Sequence, residues 1–141
     1  MTGKEYMHDI RKIRRKIRLL EEQIERDTIL AAGVSAIRYD KDRVQTSPVG
    51  DRMTEIVAKI IETTDKLKAE IYDLQLHEEN LIGYLSSMPE EYERILSYHY
   101  LDGVDWPEVG MMMHYSGKYI YEVKEKALEE LTKVLTRTDQ N

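Results

Sequence analysis

Three residues shortly after Ser116 have side chains that can form hydrogen bonds with another molecule. Lys118 offers hydrogen-bond donors, Glu122 offers acceptors, and Tyr121 offers a hydroxyl beside an apolar ring. Side chains that are three or four residues apart share one face of a helix. Ser116 is a favoured residue at a helix N-terminus, so the spacing predicts that these groups lie together on the first turns of one helix.

Covalent catalysis and metal chemistry have little basis in the sequence. The chain has no Cys, and its four His residues show no metal-ligand spacing. No glycine-rich phosphate-binding loop is found, and carboxylates are so frequent that pairs of them arise by chance. The sequence therefore predicts a protein that is not an enzyme, with no catalytic residues, no metal site and no cofactor.

The composition narrows the class of protein further. The chain has 141 residues, of which 34% are charged. It lacks a run of about 18 apolar residues and the apolar core of a signal peptide, so we expect a cytoplasmic protein with no membrane partner. Residues 1–32 carry a net charge of +2, residues 33–88 carry −3 and residues 89–141 carry −5. This acidic last third counts against binding that depends on phosphate attraction alone.

The helix capped by Ser116 is the second half of a two-helix pattern. Asp105 can cap a first helix, and Glu108 completes a pattern typical of a capping box. Met111 to Met113 are expected in or near the core. An apolar stripe marks the second helix at Ile120, Val123, Ala127 and Leu131. Two short helices joined by a tight turn form a helix-turn-helix, which places its second helix in the DNA major groove, so double-stranded DNA is the predicted partner.

The same stretch resembles region 4 of the sigma factors of bacterial RNA polymerase. The matching elements are Glu108-Val109-Gly110, Ser116, Ile120-Tyr121-Glu122-Val123 and Ala127-Leu128-x-x-Leu131, and the resemblance covers about residues 89–137. The whole layout is similar to the sigma-like regulators of late genes in phages and mobile elements, of the ArpU and RinA type. These place a longer helical part before a region-4-like end. The resemblance implies a transcriptional regulator, with His114 where the family often has glycine in the turn.

By this resemblance, four residues occupy the positions at which sigma region 4 reads bases: Gly117, Lys118, Tyr121 and Glu122. The family usually has Arg, Glu, Arg and Gln there. Lys118 could contact guanine or phosphate, Glu122 could accept from cytosine, and Tyr121 could meet a thymine methyl or a phosphate. The full set of predicted DNA-binding residues is Ser116, Gly117, Lys118, Tyr119, Tyr121, Glu122, Lys124 and Lys126. The alternative is a non-catalytic interaction module that docks on RNA polymerase or a repressor.

Two long heptad patterns precede this motif. The first predicts a helix from Glu5 to Ala32, ended by Gly33, with a seam of Tyr6, Ile10, Ile13, Ile17, Leu20 and Ile24. The second predicts a helix from Asp51 to Leu85, with a seam of Met53, Val57, Ile60, Thr64, Leu67, Ile71, Leu74, Glu78, Leu81 and Leu85. The connection between them, residues 33–50, is either a mobile loop or a segment that contacts DNA or a partner.

Together these patterns predict an all-α chain in two parts. Residues 1–87 form a long antiparallel, coiled-coil-like helical hairpin, and residues 88–141 form a C-terminal three-helix helix-turn-helix domain. A lone hairpin leaves apolar surface exposed, so we expect a homodimer or higher oligomer; the alternative is packing onto the C-terminal domain of a monomer. The basic run at residues 11–18 either pairs with acidic residues of the second helix or binds phosphates.

Overall fold

The computed structural model describes residues 1–40 and 47–139, and within them the chain is all-α, as predicted. Its helices are α1 (Gly3–Asp40), α2 (Ser47–Ser86), α3 (Glu90–Leu96), α4 (Trp106–Met112) and α5 (Tyr119–Asp139). A π-helical turn, Ser97–Leu101, continues α3. Within these ranges every helix is too short or too polar to span a bilayer.

The chain divides into two compact units. The hairpin unit is Ile13–Leu74, and the helix-turn-helix unit combines Met1–Lys12 with Gln75–Asn141. The boundary that the sequence indicated, between residues 87 and 88, lies elsewhere. Pro89 and the acidic residues after it do mark the start of α3, but a helix start is a local signal and need not separate two cores.

Helices α1 and α2 are longer than the heptad patterns indicated. α1 continues through Gly33 to Asp40, and α2 begins at Ser47. The prediction of an irregular connection over residues 33–50 is therefore wrong for its described parts, while residues 41–46 lie outside the described residues. A single glycine costs a helix only about 1 kcal/mol. Val34, which is 6% exposed, extends the packed face beyond Gly33, so the glycine does not end the helix.

The two helices of the hairpin unit run antiparallel. Lys16 Nζ lies 3.8 Å from Glu70 Oε1, and Lys59 Nζ lies 3.9 Å from Asp27 Oδ1, so later residues of α1 meet earlier residues of α2. Asp27 is buried, and its carboxylate also accepts a hydrogen bond from Gln23 Nε2 at 3.0 Å. A buried carboxylate needs such partners because burial removes its hydration.

The inward face of α2 follows most of the predicted seam, with two exceptions. Ile13 of the α1 seam is buried as expected. On α2, however, Ile56 and Thr63 are buried, whereas Val57 and Ile71 from the predicted seam are exposed. Apolar residues occupy two neighbouring faces of α2, and their spacing does not tell where the inward face ends. The consequence is a second apolar stripe along α2 that stays exposed.

The helix-turn-helix unit includes the first turns of α1. Met7 and Ile10 are 1% and 0% exposed and form part of its core. The Gly3 N–H donates to Thr132 Oγ1 at 2.8 Å. A Cβ atom at Gly3 would lie 2.6 Å from the Leu128 carbonyl oxygen, so this close approach requires glycine.

The end of α2 belongs to the same unit. The Tyr6 hydroxyl donates to the carbonyl oxygen of His77 at 2.8 Å, and its ring meets the Tyr84 ring edge-on at 5.6 Å between centroids. Burial, with a smaller contribution from Tyr84, raises the pKa of Tyr6 to about 12. The N-terminus therefore packs with the last turns of α2 inside the unit that carries α3, α4 and α5.

Candidate nucleic-acid interface

The N-terminus of α4 is held by a local cap and by aromatic packing. The Asp105 side chain accepts a hydrogen bond from the Glu108 N–H at 3.1 Å, which confirms the predicted cap. Trp106 follows it, is buried, and stacks on His99 with 4.1 Å between ring centroids. These contacts fix the start of α4 against the π-helical turn that follows α3.

The turn between α4 and α5 is a closed helix-ending motif. The Tyr115 N–H donates to the Gly110 carbonyl at 2.8 Å, and the His114 N–H donates to the Met111 carbonyl at 3.1 Å. This pair of bonds is the Schellman motif, which needs a left-handed residue after the helix. His114 has a φ of 60° and fills that position.

Helices α4 and α5 approach closely at one glycine. A Cβ atom at Gly110 would lie 3.2 Å from the Cβ atom of Ile120, which is itself 1% exposed. Met111 and Met112, expected in or near the core, are instead exposed, because they lie on the side of α4 away from this contact. The short turn and the close contact together set the direction in which α5 leaves the motif.

Helix α5 begins at Tyr119, later than the predicted start at Ser116, and residues 117–118 form a turn before it. Ser116 nevertheless bonds to the first residue of the helix. Its hydroxyl oxygen accepts from the Tyr119 N–H at 3.3 Å, and its carbonyl accepts from the same N–H at 3.1 Å. The Tyr119 ring meets the Tyr115 ring edge-on at 4.9 Å. The Tyr115 hydroxyl donates to a carboxylate oxygen of Glu91 on α3, and burial and this bond raise the pKa of Tyr115 to about 12.

Four of the predicted DNA-binding positions lie together on the surface of the unit. The structure exposes Ser116 beside them, and we call the group the reading face: Gly117, Lys118, Tyr121 and Glu122. Tyr121 is 46% exposed, whereas Ile120 and Val123 beside it are 1% and 2% exposed. The side chains of the reading face therefore take no part in the core and are available for contacts with another molecule.

Two further predicted DNA-binding residues, Lys124 and Lys126 on α5, have different environments. Lys126 is exposed, whereas Lys124 is half-buried with its ammonium group 5.3 Å from the centre of the Trp106 ring. Glu125, on the exposed side of α5, forms an ion pair with Lys4 at 2.9 Å. Lys4 could not be recognised as a partner of α5 from the sequence, because the periodicity of α1 carries no information about α5. This pairing offsets one carboxylate charge close to the reading face.

His99, in the π-helical turn, contacts both α1 and the segment that leads into α4. His99 Nδ1 lies 2.7 Å from the Val104 carbonyl oxygen, and its Nε2 lies 2.7 Å from the Arg11 guanidinium. Nδ1 must donate to the carbonyl while Nε2 accepts from Arg11, and only the neutral ring can do both. Burial is the main cause that lowers the pKa of His99, and the positive charges of Arg11 and Lys124 act in the same direction.

Acid is therefore expected to destabilise the helix-turn-helix unit through His99. A histidine with a lowered folded-state pKa contributes stability that is present above its ordinary pKa of 6.5 and is lost as the pH falls through the lower folded value. We expect the unfolding free energy of the parent to fall more between pH 8 and pH 5 than that of His99→Gln. Denaturant unfolding followed by Trp106 fluorescence measures this difference, and parallel curves for the two proteins would refute it.

The electrostatics of the unit are unfavourable for phosphates overall. The helix-turn-helix unit contains nine basic and fifteen acidic residues, a net charge of −6, whereas the hairpin unit has twelve of each. The exposed residues at the start of α5 are of mixed sign, since Lys118 just before the helix and Lys126 on it lie on either side of Glu122 in the sequence. A surface of this charge attracts a phosphate backbone only weakly, so recognition of nucleic acid here would require contacts formed by individual side chains.

The basic run at residues 11–18 makes mostly intramolecular contacts. Lys16 pairs with Glu70 on α2, as predicted, and Arg18 Nε lies 4.0 Å from Glu22 Oε1 within α1. The guanidinium of Arg11 is bound to His99 and lies 5.2 Å from the centre of the Tyr100 ring. These contacts favour the pairing interpretation of the basic run over the phosphate-binding one.

Comparison with known proteins gives no assignment. No family model, curated protein or solved structure matches the chain. Within residues 1–40 and 47–139, no group of three or more His, Asp or Glu side chains is arranged to hold a metal ion. The candidate interface therefore has to be interpreted from its own features: the closed turn after α4, the capped start of α5 and the exposed reading face.

Proposed function

We propose that the chain is a sequence-specific DNA-binding transcriptional regulator of the sigma-like type found in phages and mobile elements. The main support is the exposed reading face, which covers the turn before α5 and the first turn of that helix. Near the start of α5, Ile120 and Val123 are buried against the rest of the unit, whereas Tyr121 and Glu122 are exposed. A helix presented in this way fits the major groove of double-stranded DNA. The regulator acts in the cytoplasm, without catalysis and without a cofactor.

The reading face offers chemically distinct groups to the base edges. The Lys118 ammonium can donate to guanine acceptors, and the Glu122 carboxylate can accept from the amino group of cytosine. The Tyr121 ring and hydroxyl can contact a thymine methyl or a phosphate. Because Ser116 fixes the start of α5, these groups are held at defined positions relative to one another. Sequence preference follows from that fixed arrangement.

A second candidate function is a non-catalytic docking module for RNA polymerase or a repressor. The net charge of −6 on the helix-turn-helix unit favours a basic protein surface over a phosphate backbone. Met111 is 75% exposed beside the turn, and Met112 and Tyr119 are 42% and 41% exposed. Exposed methionine and tyrosine side chains of this kind are common on protein-binding surfaces.

Substitutions in the reading face separate the two functions. Tyr121→Ala and Glu122→Ala are each expected to cost about 1–3 kcal/mol at the base pairs that they contact, and to change the preferred sequence there. The fold should survive because both side chains are exposed. Glu129→Ala is a matched control, since Glu129 is exposed two turns further along α5. The measurement is the sequence preference of each protein in a random pool of duplexes at one fixed salt concentration. If Tyr121→Ala and Glu122→Ala select the same sequences as the parent, the docking function gains support.

A further inference from the structure

Helix α2 carries an exposed apolar stripe on a face that does not meet α1. Its members are Val57, Ile61, Tyr72 and Leu76, which are 44%, 57%, 70% and 45% exposed. They are spaced so that one continuous strip of the helix surface holds them all. The face directed to α1 is a different one, since Ile56 and Thr63 are the buried residues there. From residue 57 to residue 76 the stripe is about 28 Å long at 1.5 Å per residue.

Two opposite charges lie at the middle of this stripe. Asp65 and Lys68 are both exposed and continue the spacing between Ile61 and Tyr72. From N-terminus to C-terminus the stripe therefore has two apolar residues, an acid, a base and two apolar residues. Read from the other end, the pattern is the same except that the acid and the base change places. A surface with this property is complementary to itself when two copies lie antiparallel.

We infer that the stripe is the surface on which a second copy of this chain docks, with the two α2 helices antiparallel. In that arrangement Ile61 faces Tyr72 of the second copy, and Val57 faces Leu76. Asp65 faces Lys68, and the two-fold axis forms this ion pair twice. A parallel, in-register pair would instead place Asp65 against Asp65 and Lys68 against Lys68, which repel. The charges thus select the antiparallel orientation, and DNA binding has no part in the inference.

Charge exchange on the full-length chain tests this surface. Sedimentation equilibrium should give twice the 16.6 kDa chain mass for the parent. Asp65→Lys alone and Lys68→Asp alone each turn two attractions into two repulsions, so each should raise the dimer dissociation constant by roughly tenfold or more. The double variant with both substitutions restores the attraction in an antiparallel pair and should dimerise like the parent. Ile61→Asp should leave a monomer.

Lys66→Asp is the matched control. It makes the same charge change two residues from Lys68, on a face where Lys66 pairs with Glu62 at 3.3 Å within α2. It should leave the dissociation constant unchanged, and circular dichroism should show the parental helix content for every variant. A parent that stays monomeric at roughly 100 μM would overturn the inference. So would a dimer that ignores the single charge reversals, or a double variant that dimerises no better than the single ones.

Discussion

Replacing Ile10 with alanine is expected to lower the free energy of unfolding of the helix-turn-helix unit by about 3 kcal/mol. Ile10 is 0% exposed and belongs to the unit that contains α3, α4 and α5, although it lies far from them in the chain. Truncation removes buried apolar surface and leaves a cavity. Trp106, the single tryptophan, is buried in the same unit, so its fluorescence during urea unfolding reports this loss.

Leu19→Ala provides the control for this experiment. Leu19 lies on the same helix but is 48% exposed, so its truncation should cost less than about 1 kcal/mol. An Ile10→Ala protein whose Trp106 transition matches that of the parent would show that the first turns of α1 do not belong to the helix-turn-helix unit.

Replacing Gly110 with leucine is expected to destabilise the chain by about 2–3 kcal/mol through overpacking. The added Cβ would lie 3.2 Å from Ile120 Cβ and 3.3 Å from its Cγ2, and a branched atom near the backbone cannot move aside easily. The space between α4 and α5 is too small for the leucine Cβ, and it is also too small for the atoms beyond the Cβ. Thermal or urea unfolding measures the loss.

Gly83→Leu is the matched control for this substitution. Gly83 lies in helix α2, and a Cβ there would meet nothing within 4 Å. The substitution should therefore stabilise the chain by up to about 1 kcal/mol, because leucine favours a helix more than glycine does. Equal effects of the two substitutions would show that α4 and α5 are not in close contact at Gly110.

The helix-turn-helix could be predicted in detail because its signals are local. Asp105 and Ser116 cap helices through bonds to residues three positions away, and His114 closes the turn through bonds within the same six residues. Short-range bonds of this kind depend on residue types that occur close together in the sequence. The start of α4, the bond from Ser116 to the start of α5 and the exposed side of α5 could therefore be inferred from residue types and their spacing.

The extent of the long helices and the edges of the inward face of α2 could not be predicted in the same way. Gly33 lies inside α1 because the packed face continues to Val34, and packing outweighs the small intrinsic cost of glycine. On α2, Ile56 and Val57 fit the heptad spacing equally well, and only the contact with α1 selects Ile56. Both outcomes depend on tertiary contacts, which spacing along one helix does not contain.

The place of the N-terminus in the helix-turn-helix unit was also beyond sequence reasoning. The bond from Gly3 to Thr132 joins residues 129 positions apart, and the ion pair of Lys4 with Glu125 is almost as distant in the chain. A glycine just before the apolar residues Tyr6 and Met7 was the one available signal of close packing. It gave no indication of the partner.

Selection of bound sequences from a random pool of duplex DNA with the purified full-length chain tests the proposed function most directly. The exposed reading face, held on a capped helix, predicts that one recurrent sequence is recovered. Because the helix-turn-helix unit carries a net charge of −6, binding to that sequence should depend on specific contacts more than on salt. Recovery of no sequence above its frequency in the starting pool would contradict DNA reading by α5.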